Sequence, residues 1–233
     1  MAQRVSHSLL DPMITGPLKS LYPRLRIPRS LPPEAIVGCG HAAAAAGAVG
    51  FALSSRFGWA GGLAAAGVAL NHTCDVLDGT HARSTGQCRN GGELLDHFVD
   101  PLSFSYWAAA LAFSAGAYTE YFAVAPWLGV AGVIVIYATA VLTSIRAKMI
   151  GEFTLNRFGP TEFKTLLVLL GLSQTALIGF GDGEAAPLVA FWFVVVLVVA
   201  GVVQLVVSLW TSVREVNAVG SAPADTTEWQ LKP

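Results

Sequence analysis

The sequence predicts an all-α integral membrane protein with six transmembrane helices and a cytoplasmic amphipathic helix at its N-terminus. Three observations carry this. Apolar residue types make up 54% of the 233 residues and charged types only 12%, about half the charged share of a soluble domain, and the mean hydropathy is +0.58. The segments 35–55, 57–74, 101–119, 121–145, 165–181 and 185–213 contain no Asp, Glu, Lys or Arg. Of the 14 Lys and Arg, all but Arg56 fall on one side of the chain threaded through those segments.

Each element follows from these runs. A spanning helix needs about 20 mostly apolar residues, so 57–74, 101–119 and 165–181 must borrow polar residues from their flanks. The second helix then extends to about Arg83, the third begins near Gly91, and the fifth begins near Thr161, after the Gly159-Pro160 break. Helices are required because lipid leaves backbone groups no other partner, and a barrel would show alternating polarity, which these runs lack. Arg4, Lys19, Arg24, Arg26 and Arg29 precede the first helix. Arg83 and Arg89 lie between the second and third. Arg146, Lys148, Arg157 and Lys164 lie between the fourth and fifth, and Arg214 and Lys232 follow the sixth. The positive-inside bias places both termini and the segment 75–100 in the cytoplasm.

The chain divides into a juxtamembrane segment 1–30, a six-helix domain 31–218 and a tail 219–233 that reads as disordered. "LLDPMITGPLKSLYPRLRIPRS" mixes apolar and basic residues between prolines, which suits a short helix on the membrane surface; the alternative is a basic disordered tail. No signal-peptide core is evident, so the N-terminus is expected to be retained. There is no internal repeat. The alanine-rich stretches "HAAAAAGAVG" and "GGLAAAGVAL" offer small faces for close helix packing. Cys39, Cys74 and Cys88 have no metal-ligand spacing and read as small buried thiols. A net charge of −1 gives no footprint for nucleic acid. Trp127, Trp192 and Trp210 read as interfacial or lipid-facing, and His41, His72 and His81 as packing or interface residues.

The chemistry concentrates in "DVLDGTHARSTGQCRNGGELLDHFVD", residues 75–100. At about 100° per residue, Asp75 and Asp78 share one helix face, and so do Asp96 and Asp100. Two such faces turned together gather four carboxylates. Each is costly in a membrane, by about 2.5–3.5 kcal/mol on insertion scales, and the four repel one another. No Lys or Arg except Arg83 is interspersed, so hard divalent cations with oxygen ligands (Mg²⁺, Mn²⁺ or Ca²⁺) are the expected counter-charge. Gly79, Gly92 and Ala82 outline a slot beside them for an anionic, partly flat, phosphorylated guest. Acids that merely cap helix ends in interfacial water are the alternative, and the paired spacing speaks against it.

This segment resembles the signature of the CDP-alcohol phosphotransferases, with Asp75, Asp78, Gly79, Ala82, Arg83, Gly92, Asp96 and Asp100 filling its eight fixed positions. The resemblance implies an enzyme that moves a phospho-alcohol from a CDP-linked donor to an acceptor hydroxyl and releases CMP. It implies that Asp75, Asp78 and Asp96 bind two Mg²⁺ or Mn²⁺ ions holding the pyrophosphate. It implies that Asp100 is the general base, also near a metal, and that Gly79, Ala82, Arg83 and Gly92 border the nucleotide. A homodimer is compatible with it.

The chain is similar in length to the short, bacterial-type members of that family, and this resemblance implies CDP-diacylglycerol as donor and a bacterial-type inner or plasma membrane as location. His97 after Asp96, and the Thr161-Glu162 pair, also look like choline and ethanolamine phosphotransferases, which would use a CDP-aminoalcohol and diacylglycerol. Glu93 and Glu162 read either as extra ligands or as acids favoured at helix N-termini. Asn71, one turn before Asp75, faces the same cavity or another helix. His97 either orients an aspartate or is a neighbour only. Arg146, Lys148 and Arg157 bind an acceptor phosphate or, more simply, set topology. A transporter or ion pathway is the competing class; acids clustered near one face, with none trailing through helices four to six, argue against it.

Overall fold

The computed structural model describes residues 3–117, 120–155 and 158–219. Among them the order is β1 (Gln3–Ser6), α1 (Asp11–Leu25), α2 (Pro33–Leu53), α3 (Gly58–Thr85), α4 (Asn90–Ala117), α5 (Ala125–Ile150), β2 (Glu152–Leu155), α6 (Pro160–Gly179) and α7 (Ala185–Val219). The six long helices α2–α7 coincide with the six expected from the charge-free runs, and each borrowed end falls within two residues of its expected place. Four of them, α2, α5, α6 and α7, are long and apolar enough to cross a membrane. The helices that carry the motif, α3 and α4, are not among those four.

Helix boundaries follow local chemistry. Pro33, Pro160 and the proline after Ala125 occupy first turns, where a missing N–H costs nothing. Gly86 and Gly151 end α3 and α5 in the left-handed conformation, at φ 73° and 85°, donating to the Ala82 and Ala147 carbonyls. Pro101 sits within α4 directly after Asp100, where it removes the donor that would meet the His97 carbonyl.

The bundle is tight where side chains vanish. A Cβ at Gly67 would stand 2.6 Å from the Gly47 Cα, and one at Gly171 2.6 Å from the Gly61 carbonyl oxygen. The α2–α3 and α3–α6 backbones therefore touch, as small-residue interfaces in lipid allow. Trp107, Phe51, Val68, Leu111 and Leu167 fill the core around α3 and α4. The Trp107 indole donates to the Ala44 carbonyl at 2.9 Å. Apolar residues such as Phe113, Ile134, Leu169 and Val203 point outward, as do Trp127, Trp192 and Trp210.

Two features depart from expectation. A two-stranded parallel sheet joins the N-terminus to the α5–α6 connection, with Gln3 opposite Glu152 and Ser6 opposite Leu155. Four-residue strands outside the apolar runs carry no periodic signal. Cys39 and Cys88 are exposed, and only Cys74 is buried. The helix α7 runs through Val219, and the expected disordered tail beyond it lies outside the described residues. The juxtamembrane segment is helical as α1, with no buried residue of its own. Tyr22 from α1, with Ile27 and Leu31 after it, packs on Ile36, Cys74 and Leu77.

Candidate metal and substrate site

Three helices build the site. From α3 come Asp75 and Asp78, from α4 Asp96 and Asp100, and from α6 Lys164. All four aspartates line one cavity, walled on the α2 side by Val37 and Gly40 and on the α4 side by Val99. One carboxylate oxygen from each of Asp75, Asp78 and Asp96 lies within 4.8 Å of the others. Asp78 is buried and accepts a hydrogen bond from the Gly79 N–H. The three-oxygen convergence is an all-oxygen donor set, the kind hard divalent cations take. The residues therefore fit a Mg²⁺- or Mn²⁺-type ion.

Asp100 lines the same cavity but stands outside the three-acid group, and the chain itself supplies a cation beside it: the Lys164 ammonium lies 3.3 Å from Asp100 Oδ1 and 2.7 Å from Asp75 Oδ2. Lys164 is 2% exposed. The counter-charge assigned wholly to metal is thus partly supplied by the chain. Counting Lys164 among the residues that set topology hid it. The signal was present, because starting the fifth helix near Thr161 already puts Lys164 inside a spanning segment, where an ionisable residue marks function.

The remaining motif positions surround this core. Arg83 is exposed, and its guanidinium is the nearest group to Gly79, 3.2 Å from where a Cβ would stand. Ala82 is half-buried on the same helix. Gly92 lies beside Glu34 rather than in the cavity wall, a Cβ there meeting Glu34 Oε1 at 3.7 Å; Glu34 itself pairs with Arg89 at 3.1 Å.

The secondary candidates divide sharply. Asn71 borders the cavity. Its amide nitrogen donates to the Gly40 carbonyl at 3.1 Å, while its Oδ1 is buried with no hydrogen-bond partner among the described residues. His97 Nδ1 donates to the Glu93 carbonyl at 3.0 Å and is 3.9 Å from Asp96 Oδ2, and its ring edge meets Phe153. His97 is thus engaged by its own helix and by Phe153 of β2. Glu93 is exposed on the first turn of α4 and is not in the three-acid group.

Glu162 is not at the cavity. Its Oε1 accepts from Ser8 Oγ (2.6 Å), Leu9 N (2.8 Å) and Leu10 N (3.1 Å), and its Oε2 from Gly159 N (2.9 Å). It caps α6 and clasps the start of α1, a clasp extended by Thr161 donating to Asp11. Arg146 is bound bidentately by Glu215 of α7, at 2.8 and 2.7 Å. Lys148 lies in the last turn of α5, and Arg157 lies outside the described residues.

Among the histidines, His81 is fully buried, donating from Nε2 to the Leu31 carbonyl (2.9 Å). Its Nδ1 then accepts from the Tyr22 hydroxyl at 2.7 Å. His41 stands 3.4 Å from both Ser103 Oγ and Tyr106 Oη. His72 is buried 3.9 Å from Asp75, and neither ring nitrogen has a hydrogen-bond partner among the described residues.

Four apolar helices long enough to cross a membrane, with three carboxylates converging at one cavity, define a membrane protein with a group of acids that could hold a cation. The model of the CDP-alcohol phosphatidyltransferase family matches residues 42–177, more than half of the chain and all of the segment 75–100. The chain belongs to the CDP-alcohol phosphatidyltransferase family, a transferase family for phospho-alcohol groups whose members are typically metal-dependent. No curated protein matches it significantly.

Proposed function

We propose that the protein transfers a phosphatidyl group from CDP-diacylglycerol to the hydroxyl of a soluble alcohol, with release of CMP, using two Mg²⁺ or Mn²⁺ ions. The observation that carries this is the convergence of Asp75, Asp78 and Asp96 within 4.8 Å, with Asp100 on the same cavity, inside the segment that matches the family. Bound divalent ions would neutralise the pyrophosphate of the donor. Asp75, Asp78 and Asp96 are the residues assigned to hold them. Asp100 takes the proton of the acceptor hydroxyl. The acceptor oxygen bonds to the donor phosphorus that bears the lipid, and the bond from that phosphorus to the CMP oxygen breaks. Gly79, Ala82, Arg83 and Gly92 are assigned to the nucleotide.

In the accompanying topology all six helices α2–α7 span, with both termini and the site cytoplasmic and α1 on the membrane surface. The inclusion of α3 and α4 is supported by their 28-residue lengths, enough for about 40 Å of helix. Their polar residues converge on an internal cavity, which is where membrane proteins keep them.

The aminoalcohol reading leaned on Glu162 and His97. Both are engaged elsewhere, by the α1 clasp and by the Glu93 carbonyl, which favours CDP-diacylglycerol. Incubation of purified protein with radiolabelled CDP-diacylglycerol, Mg²⁺ or Mn²⁺ and a panel of alcohols is expected to release CMP only when metal and one acceptor are both present. Turnover of CDP-choline with diacylglycerol instead would reverse the donor assignment, and CMP release independent of every acceptor would reduce the activity to hydrolysis.

A further inference from the structure

Lys164 is the cation that neither the motif nor the family match assigns. It sits in the second turn of α6, 2% exposed. Its Nζ touches carboxylates from two other helices, Asp75 at 2.7 Å and Asp100 at 3.3 Å, and lies 5.5 Å from the Phe104 ring centre. An ammonium has three donors and no acceptor. Here two directions are taken by carboxylates and an aromatic face lies on a further side, an arrangement that fixes the group rather than letting it sweep the cavity. Among the described residues no other lysine or arginine lies within 4.0 Å of a motif carboxylate.

We propose that Lys164 is a positioning residue for the transfer reaction: a resident cation that ties Asp75 to Asp100 and fixes the orientation of the Asp100 carboxylate in the cavity both line. This rests on the transferase reading of the site. A carboxylate has two oxygens and about four lone-pair sites, so Asp75 can accept from Lys164 and still offer an oxygen to the metal-type group. The bridge joins α3, α4 and α6, the three helices that bring the acids together. It gives the four carboxylates one internal positive charge before any ion arrives.

The test compares Lys164→Met, which keeps length and loses charge, with Lys164→Arg and the charge-balanced double variant Lys164→Met/Asp100→Asn. Thermal unfolding of detergent-purified protein is measured in EDTA and in saturating Mn²⁺, with Mn²⁺ titration alongside. Lys164→Met is expected to lose more stability in EDTA than in Mn²⁺, so that the Mn²⁺-induced shift in midpoint grows about twofold or more over the unsubstituted protein. Its kcat is expected to fall about 10-fold or more, since small displacements of a reacting group are costly, with the KM for the CDP donor little changed. Lys164→Arg should recover the ordinary Mn²⁺ shift and a substantial part of kcat. The double variant should recover the midpoint in EDTA without recovering kcat.

An unchanged Mn²⁺ shift in Lys164→Met, arginine no better than methionine, or a double variant no more stable in EDTA than the single one would each overturn the proposal. If Lys164→Met does not fold, the arginine and double variants carry the same comparison. Absence of metal-dependent transfer in the unsubstituted protein would strike the transferase reading, while the EDTA and Mn²⁺ midpoints would still judge the bridge.

Discussion

Glu162 and Asp96 are both carboxylates near one end of the bundle, and their surroundings are opposite. Glu162 accepts four hydrogen bonds, three of them from Ser8, Leu9 and Leu10. Asp96 faces Asp75 and Asp78, and among the described residues its ion-pair contact is a histidine at 3.9 Å. A saturated carboxylate is finished as structure. A carboxylate held against others of its own sign, with lone pairs still open, is disfavoured until a cation joins it. The number of donors around an acid, more than its place in a motif, separates the clasp from the site.

Substitutions can break or sharpen this contrast. The largest effect is expected from Asp96→Asn. Outer-sphere partners of metal ligands already matter about 10–100-fold, so loss of a ligand itself should weaken Mn²⁺ binding at least that much and abolish transfer, as chelation should. Calorimetric titration with Mn²⁺ checks the first part. Asp100→Asn should lower kcat by about 10²–10⁴-fold, the worth of a positioned base, and leave donor binding largely intact. A parallel loss of donor binding would make Asp100 chiefly a ligand.

Glu162→Ala should act on the other side of the comparison. It removes a buried cap and its clasp, lowering stability by about 1–3 kcal/mol, measured as an unfolding midpoint, with Mn²⁺ affinity unchanged. A fall in Mn²⁺ affinity would return Glu162 to the site. The smallest effect is expected from Arg146→Met. The partly exposed pair with Glu215 is worth no more than about 1 kcal/mol, and the KM for the acceptor should not move. A marked rise in that KM would show that Arg146 leaves Glu215 to bind substrate.

The helices and four aspartates were legible because lipid forces long charge-free runs and a helix repeats its face predictably. Lys164 was legible only in part: a helix beginning near Thr161 puts it inside a spanning segment, but a lysine at a helix start satisfies the topology rule equally well when it faces water. The role of Glu162 was not legible. Its partners Ser8, Leu9 and Leu10 lie about 150 positions away in sequence, and nothing local marks them. The same holds for β1 and β2, whose pairing is decided by where α1 and α6 are anchored and not by any pattern within four residues. His81 fits its expected place as a packing or interface residue, and the partners it joins to the motif helix are Tyr22 and Leu31.

The contact of Gly61 with Gly171 gives the apolar middle of the bundle a share in the chemistry. Gly171 is seven residues from Lys164 on α6, about 10 Å along the axis, and its backbone rests directly on α3. That contact works as a ruler: it fixes how far α6 is slid along α3, and with it the reach from the Lys164 ammonium to Asp75. An alanine or serine at either glycine, far from any polar group of the cavity, would reset the ruler. Inactive variants of this protein are therefore to be sought in its greasiest stretches as well as among its acids.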